Sequence, residues 1–190
     1  MPVLKFTKRD LLYCPFPQDG DLVREIYAIL QNAQVSEDNV LVDGDDFARE
    51  LRFHGYFERL WILCHGGDGS LRIGNTAGDS RISAADLAER LLELGLNTAV
   101  PEIMVWSCFG GKAGGFAQSL WLNLRRSLPH IRVSGLAGMT GSIAPGGAAL
   151  KVTRMAGYFA GSGGDEGLHR MIDLSEIITY PGAPTVSFEV

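Results

Sequence analysis

The sequence predicts an α/β fold, three layers deep (α/β/α) around a mainly parallel central sheet, and three observations point there. Apolar runs at 59–65 (RLWILCH), 102–108 (EIMVWSC) and 131–138 (IRVSGLAG) lack the in-out alternation of a half-solvated strand, so each is expected to be buried on both faces. The segments between them carry helical apolar spacing. The order strand, helix, strand, helix, strand over 59–138 then requires right-handed crossovers and a parallel sheet. Finally, 190 residues suffice to bury a real core, and are read most simply as one domain spanning 1–190.

Taken in order, VLKFTK (3–8) is the first strand candidate, and DGDLVREIYAILQNA (19–33) places Leu22, Ile26, Ile29 and Leu30 on one helical face. VLVDG (40–44) is a short apolar run closed by turn residues, followed by a helix around DFARELRFH (46–54). After the strand at 59–65, SAADLAERLLELG (83–95) has Ser83 as its cap and Gly95 as its stop. GKAGGFAQSLWLNLRRSL (111–128) reads as a loop and a helix ending before Pro129. Beyond 139 the pattern weakens: KVTRMAGYF (151–159) and TVSFEV (185–190) are strand candidates and 165–173 a helix candidate. This last stretch is expected to complete the sheet and supply substrate-side loops.

Composition excludes several functions. A net charge of −5, with Lys and Arg scattered, offers no basic field for a nucleic-acid backbone. No apolar run approaches the roughly 18 residues of a membrane span, and MPVLKFTKRD lacks the apolar core of a signal peptide, so a soluble, cytoplasmic protein is expected. Three cysteines, at 14, 64 and 108, make neither a disulfide framework nor a CxxC zinc pattern. The 24 glycines stand out against an average near 7%. They cluster after apolar segments rather than in a linker.

Ligands of an open parallel sheet sit at the carboxyl ends of its strands. His65 ends one such strand and Cys108 the next, with His65-Gly66-Gly67 after the first and Cys108-Phe109-Gly110-Gly111 after the second. A thiol nucleophile needs an acid-base partner and backbone amides to hold an oxyanion, and glycines beside both residues allow close approach of a substrate. A cysteine closing an apolar strand is ordinarily an inert buried thiol. Its pairing with His65 at the equivalent end of the preceding strand is what singles it out. Cys64 alternates to the opposite face and reads as packing, as does Trp106. His54, His130 and His169 have no comparable setting, and Asp68 and Asp79 flank the loop after His65. The glycines at 110–115 do not follow the phosphate-loop order, since Lys112 precedes Ala113.

An apolar strand ending in His-Gly, an amphipathic helix, and an apolar strand ending in Ser-Cys before glycine resembles the caspase-like fold of clan CD cysteine peptidases, and the bacterial members above all. The resemblance spans 59–138 and departs from the caspase motif Q-A-C-[RQG]-G, which here is W-S-C-F-G-G. It implies Cys108 as nucleophile, His65 as its partner, the amides of Gly66 and Cys108 as the oxyanion hole, and the loop around Met139 and Thr140 as the pocket for the residue before the scissile bond, while Asp68 and Phe109 are substrate-contact candidates from their own positions beside His65 and Cys108. It implies a peptide or protein substrate and no metal or organic cofactor, although some toxin relatives are switched on by small polyanions. Acidic side chains around the expected site favour a basic residue before the scissile bond.

Two other readings compete. An α/β-hydrolase with a cysteine nucleophile would use HGGDG as its oxyanion loop, with Asp165 and His169 completing the triad, but Trp106 stands where the elbow needs glycine. A non-catalytic scaffold would use neither histidine. Oligomeric state is not legible.

Overall fold

A computed structural model of the chain describes residues 6–33, 37–42, 57–138, 151–154, 168–171 and 177–181. Along the described chain run β1 (Asp10–Cys14), α1 (Gly20–Ala33), β2 (Val40–Val42) and β3 (Arg59–Leu63). A hairpin of β4 (Arg72–Gly74) and β5 (Arg81–Ser83) leads into α2 (Ala84–Glu93), followed by β6 (Glu102–Trp106), α3 (Phe116–Leu124) and β7 (Arg132–Leu136). β8 (Lys151–Arg154), β9 (Leu168–Met171) and β10 (Ile177–Tyr180) complete the set.

Six strands form one sheet in the order β10-β7-β6-β3-β1-β2, parallel throughout except for β10, which runs antiparallel to β7. The fold is therefore mixed α/β with a mostly parallel central sheet. The connection from β1 to β2 advances one way across the sheet, and those from β3 to β6 to β7 advance the other way. Right-handed crossovers in opposite directions put α1 on one face and α2 with α3 on the other, an arrangement compatible with an α/β/α sandwich. The point of reversal lies between β1 and β3, where open α/β sheets leave a crevice at their carboxyl ends.

All five residues of β1 are buried, and β3, β6 and β7 are buried from their second residue onward. That double-faced burial is what the unbroken apolar runs require. In α2 the buried residues Ala84, Leu87, Ala88 and Leu91 repeat at helical spacing, and the Ser83 hydroxyl accepts from the Asp86 amide to cap the first turn. Burying each of its two core leucines stabilises the fold by about 1.5–3 kcal/mol. Among the described residues no helix is long and apolar enough to cross a membrane.

Several expectations need correction. Of the strand expected at 3–8, residues 3–5 lie outside the described residues and 6–8 are not strand: Thr7 and Asp10 close a turn, with Thr7 N and Oγ1 donating to Asp10 Oδ2 and Asp10 N donating to Thr7 O, so the first described strand begins at Asp10. The segment 165–173 is not helical where described, because Leu168–Met171 pairs antiparallel with Lys151–Arg154. The β4–β5 hairpin and β10 went unanticipated. The helix expected at 46–54 and the strand at 185–190 lie outside the described residues.

The amino ends of the strands are joined by polar side chains. Arg59 Nε donates to Glu102 Oε2 at 3.0 Å and its Nη1 stands 3.9 Å from Asp10 Oδ1. Glu102 Oε1 accepts from the buried Ser134 hydroxyl at 3.0 Å, which in turn meets Thr179 Oγ1 at 2.9 Å. Burial pushes the Asp10 carboxyl above its usual range, against the Thr7 amide and Arg59, which pull it back. Replacing Glu102 by Ala should destabilise the protein by roughly 1–3 kcal/mol, because Arg59 and Ser134 lose their shared acceptor at once. A urea midpoint equal to the wild type's would show that this polar line does not hold the strand ends.

Candidate active site

β3 and β6 pair in parallel with Leu63 beside Trp106, and the Cys64 amide continues the ladder to Trp106 O at 3.2 Å. Two residues beyond that pair stand His65 and Cys108. Trp61 and Trp106 lie ring against ring, 6.2 Å apart, on one face of the sheet. Strand alternation carries His65 and Cys108 toward that same face. The backbone of His65 is fixed by the hairpin, exchanging hydrogen bonds with Gly74 at 3.0 and 2.9 Å. Contact between the two loops is direct at Gly66, where a Cβ would lie 2.7 Å from Cys108 O and 3.0 Å from Ser107 Oγ.

The loop that carries Cys108 is seated on β7. Phe109 N donates to Gly138 O at 2.7 Å and Gly111 N to Leu136 O at 2.8 Å, while Tyr180 Oη donates to Gly111 O at 3.1 Å. Gly111 and Gly135 meet backbone to backbone, since a Cβ on Gly111 would fall 2.2 Å from Gly135 O. Phe109 itself has φ of +56°, a conformation that costs a bulky residue on the order of 1–2 kcal/mol. The chain therefore turns sharply just after Cys108, which is half-buried. Ser107 is fully buried between Gly66 and Gly110 and lies beside the Cys64 thiol. Burial raises the Cys64 pKa well above its usual value, with the charge of Cys14 adding to the rise and the Ser107 hydroxyl opposing it. Cys64 belongs to the hydrophobic core.

A feature absent from the sequence reading lies behind His65. Its Nε2 is 2.9 Å from Thr76 Oγ1, and Thr76 Oγ1 is 2.9 Å from both carboxylate oxygens of Asp19. Asp19 also accepts from the Thr76 amide and from the amides of Asp21 and Leu22 at the start of α1. Burial pushes the Asp19 carboxyl up, but the Thr76, Leu22 and Asp21 donors outweigh it and hold the pKa below its usual value. From sequence alone Asp19 is only the first residue of the helix predicted over 19–33, and Thr76 is not singled out.

The other anticipated contacts fall variously. Lys112 joins the two loops, with Nζ 2.7 Å from Asp68 Oδ1 and 4.9 Å from the centre of the Phe109 ring. Asp79 accepts from Asn75 Nδ2 at 2.6 Å. Trp106 is buried in the core. Met139, Thr140, His54 and Asp165 lie outside the described residues, while His169 sits in β9, which pairs with β8 and not with the six-stranded sheet. On the hairpin side the surround of His65 includes basic side chains as well as Asp19 and Asp79. There a cleft of about 300 Å³ beside His65 is lined by Gly66, Ser70, Asn75, Arg72 and Arg81, and Asp68 is already paired with Lys112. Among the described residues no three His, Cys, Asp or Glu side chains gather to hold a metal ion. Compared with known proteins, the chain matches no family model and no curated protein.

Two outcomes follow from this geometry. Gly135→Ala should lower stability by about 1–3 kcal/mol, since its Cβ would fall 2.7 Å from Gly111 N with backbone on both sides. A urea midpoint unchanged from wild type would refute the close approach. Asp19 has a folded-state pKa below its unfolded value, so the stability it contributes is present above about pH 4 and is lost as pH falls through the folded value. The stability gap between wild type and Asp19→Asn, followed by thermal unfolding, should accordingly be widest near neutrality and shrink on acidification. A gap independent of pH would contradict it.

Proposed function

We propose that the protein is a cysteine peptidase that hydrolyses peptide bonds through Cys108 and His65, on a caspase-like α/β/α fold. The observation that carries this reading is the in-register pairing of β3 with β6, which sets His65-Gly66 against the backbone of Cys108. The resemblance of His65-Gly66 and Ser107-Cys108 to the clan CD motifs points the same way. So does the amide of Gly66, which has no acceptor among the described residues and is therefore free to meet a developing oxyanion.

In this reading His65 accepts the thiol proton as the Cys108 sulfur attacks the scissile carbonyl carbon. The C=O electrons collect on oxygen, stabilised by the Gly66 and Cys108 amides. Collapse breaks the C–N bond, the departing amine takes the proton from His65, and a thioester remains on Cys108. Water, giving a proton to His65, then attacks the thioester, and the acid product leaves as the thiol is restored. No step requires a metal or an organic cofactor. Nothing among the described residues favours the α/β-hydrolase alternative: its Asp165 lies outside them, and the backbone of its His169 pairs in the β8–β9 ladder.

The direct test combines labelling and turnover. Limiting iodoacetamide across about pH 5–9, read by peptide mass spectrometry, should alkylate Cys108 faster than Cys14 or Cys64, and His65→Ala should slow that labelling or shift its pH dependence. Hydrolysis of fluorogenic peptides bearing Arg, Lys, Asn, Asp or Leu before the scissile bond should fall by at least about 100-fold in either Cys108→Ala or His65→Ala. Turnover that survives both substitutions would refute the peptidase, and labelling of Cys108 no faster than of the buried thiols would favour a non-catalytic scaffold.

A further inference from the structure

The contacts behind His65 specify more than a fixed loop. Asp19 is buried, and its ionised carboxylate can only accept hydrogen bonds. Thr76 Oγ1 stands 2.9 Å from each of its two oxygens, so the single hydroxyl proton of Thr76 must point at Asp19; otherwise oxygen lone pairs would face one another at contact distance. With that proton committed, Thr76 Oγ1 has only lone pairs to offer His65 Nε2, also at 2.9 Å. Nε2 must therefore be the donor. A neutral imidazole carries one N–H, which leaves Nδ1 bare.

We propose that Asp19 and Thr76 are positioning residues that hold His65 as its Nε2–H tautomer and leave Nδ1 to exchange a proton with Cys108. This assignment rests on the cysteine peptidase reading for its purpose, though not for its hydrogen bonds. The two residues reach His65 from separate elements: Asp19 from the loop between β1 and α1, Thr76 from the turn of the β4–β5 hairpin, 57 residues later. That loop lies where the sheet reverses direction, between β1 and β3. When His65 takes up the Cys108 proton, the imidazolium has an N–H on both sides, and the bond through Thr76 then connects it to a carboxylate. The charge forms facing an arrangement already oriented to receive it.

A purely structural role for Asp19 makes different demands. As the cap of α1 it binds the amides of Asp21 and Leu22, and as a tie to the hairpin it binds the Thr76 amide. None of these needs the Thr76 hydroxyl. Thr76 is exposed, so Thr76→Val removes that hydroxyl with little change in shape and keeps the amide bond, while Thr76→Ser restores it.

The experiment is made on the full chain with ¹⁵N-labelled histidine, assigning His65 by its loss in His65→Gln and recording long-range ¹H–¹⁵N imidazole spectra above the titration of the ring. Wild type and Thr76→Ser should show His65 locked with its proton on Nε2; Thr76→Val should show averaged shifts for the two nitrogens. In parallel, Cys108 alkylation at neutral pH should fall about tenfold in Thr76→Val and recover in Thr76→Ser. A proton found on Nδ1 in the wild type, or spectra and labelling unchanged in Thr76→Val, would overturn the assignment. If Cys108 labelling is the same in His65→Ala as in wild type, the Cys108–His65 pair itself fails. The spectra distinguish that case, because a locked Nε2–H lost only in Thr76→Val would still establish the hydrogen bonds.

Discussion

The parallel register of β3 against β6 governs the carboxyl end of the sheet. With Leu63 beside Trp106, the residues two steps further on are His65 and Cys108, and a slip of one residue would send one of them to the opposite face. Such a slip is resisted at the amino ends of the strands. In the middle, Leu60, Ile62, Ile103 and Val105 are fully buried, so the strands are apolar on both faces and burial alone does not choose the register. At the amino ends, Asp10, Arg59 and Glu102 are register partners as well as electrostatic ones, and Ser134 and Thr179 extend the line to β7 and β10. Hydrophobic pairing alone tolerates shifts by two residues, whereas a half-buried Arg59 between two carboxylates does not. The polar residues at one end of the sheet thus help to fix the geometry of His65 and Cys108 at the other.

Glycine is used here mainly to bring backbones together. Gly66 and Gly110 enclose the buried Ser107, and Gly111 rests on Gly135 at a distance that no side chain permits. The result is that the loop after Cys108 is hydrogen-bonded to β7 and contacts the loop after β3. This explains why the glycines after the strand of Cys108 do not follow the phosphate-loop pattern: they satisfy packing between adjacent loops rather than the geometry of an anion. Lys112, lying between Asp68 and Phe109, adds a surface tie across the same pair of loops. Asp68 is exposed, and such an ion pair contributes little stability in water.

The central strands were legible because burial on both faces leaves an unmistakable mark, an apolar run bounded by turn residues; the α2 helix was legible from its spacing and from Ser83 and Gly95. What escaped were elements whose signal is local and short. β1 has an acid at its first position, where Asp10 is buried through its bonds to Thr7 and Arg59. β4 and β5 have three residues each, too few for a period to show. β10, at the sheet edge, is only half-buried and reads as an ordinary mixed segment. His65 and Cys108 could be found from sequence because strand order places consecutive strand ends side by side. Asp19 and Thr76 could not, since their meeting depends on the hairpin folding back across the end of β1, and neither residue type is unusual where it stands.

That difference bears on how the site is built. His65 is held from three directions: by the continuation of β3, by its backbone bridge to Gly74, and by Thr76 at its ring. Two of the three belong to the β4–β5 hairpin, which is itself tied to α1 through Asp19. Cys108 is held by β6 and, through Phe109 and Gly111, by β7. His65 and Cys108 thus depend on different supports that meet at Gly66 and across the Lys112–Asp68 pair. A disturbance of the hairpin should move the histidine while leaving the thiol in place, and a disturbance of the Gly111–Gly135 contact should do the reverse. Preorganisation of this kind, with each group fixed by its own packing and hydrogen bonds, is what the proposed roles of Cys108 as nucleophile and His65 as its proton acceptor require.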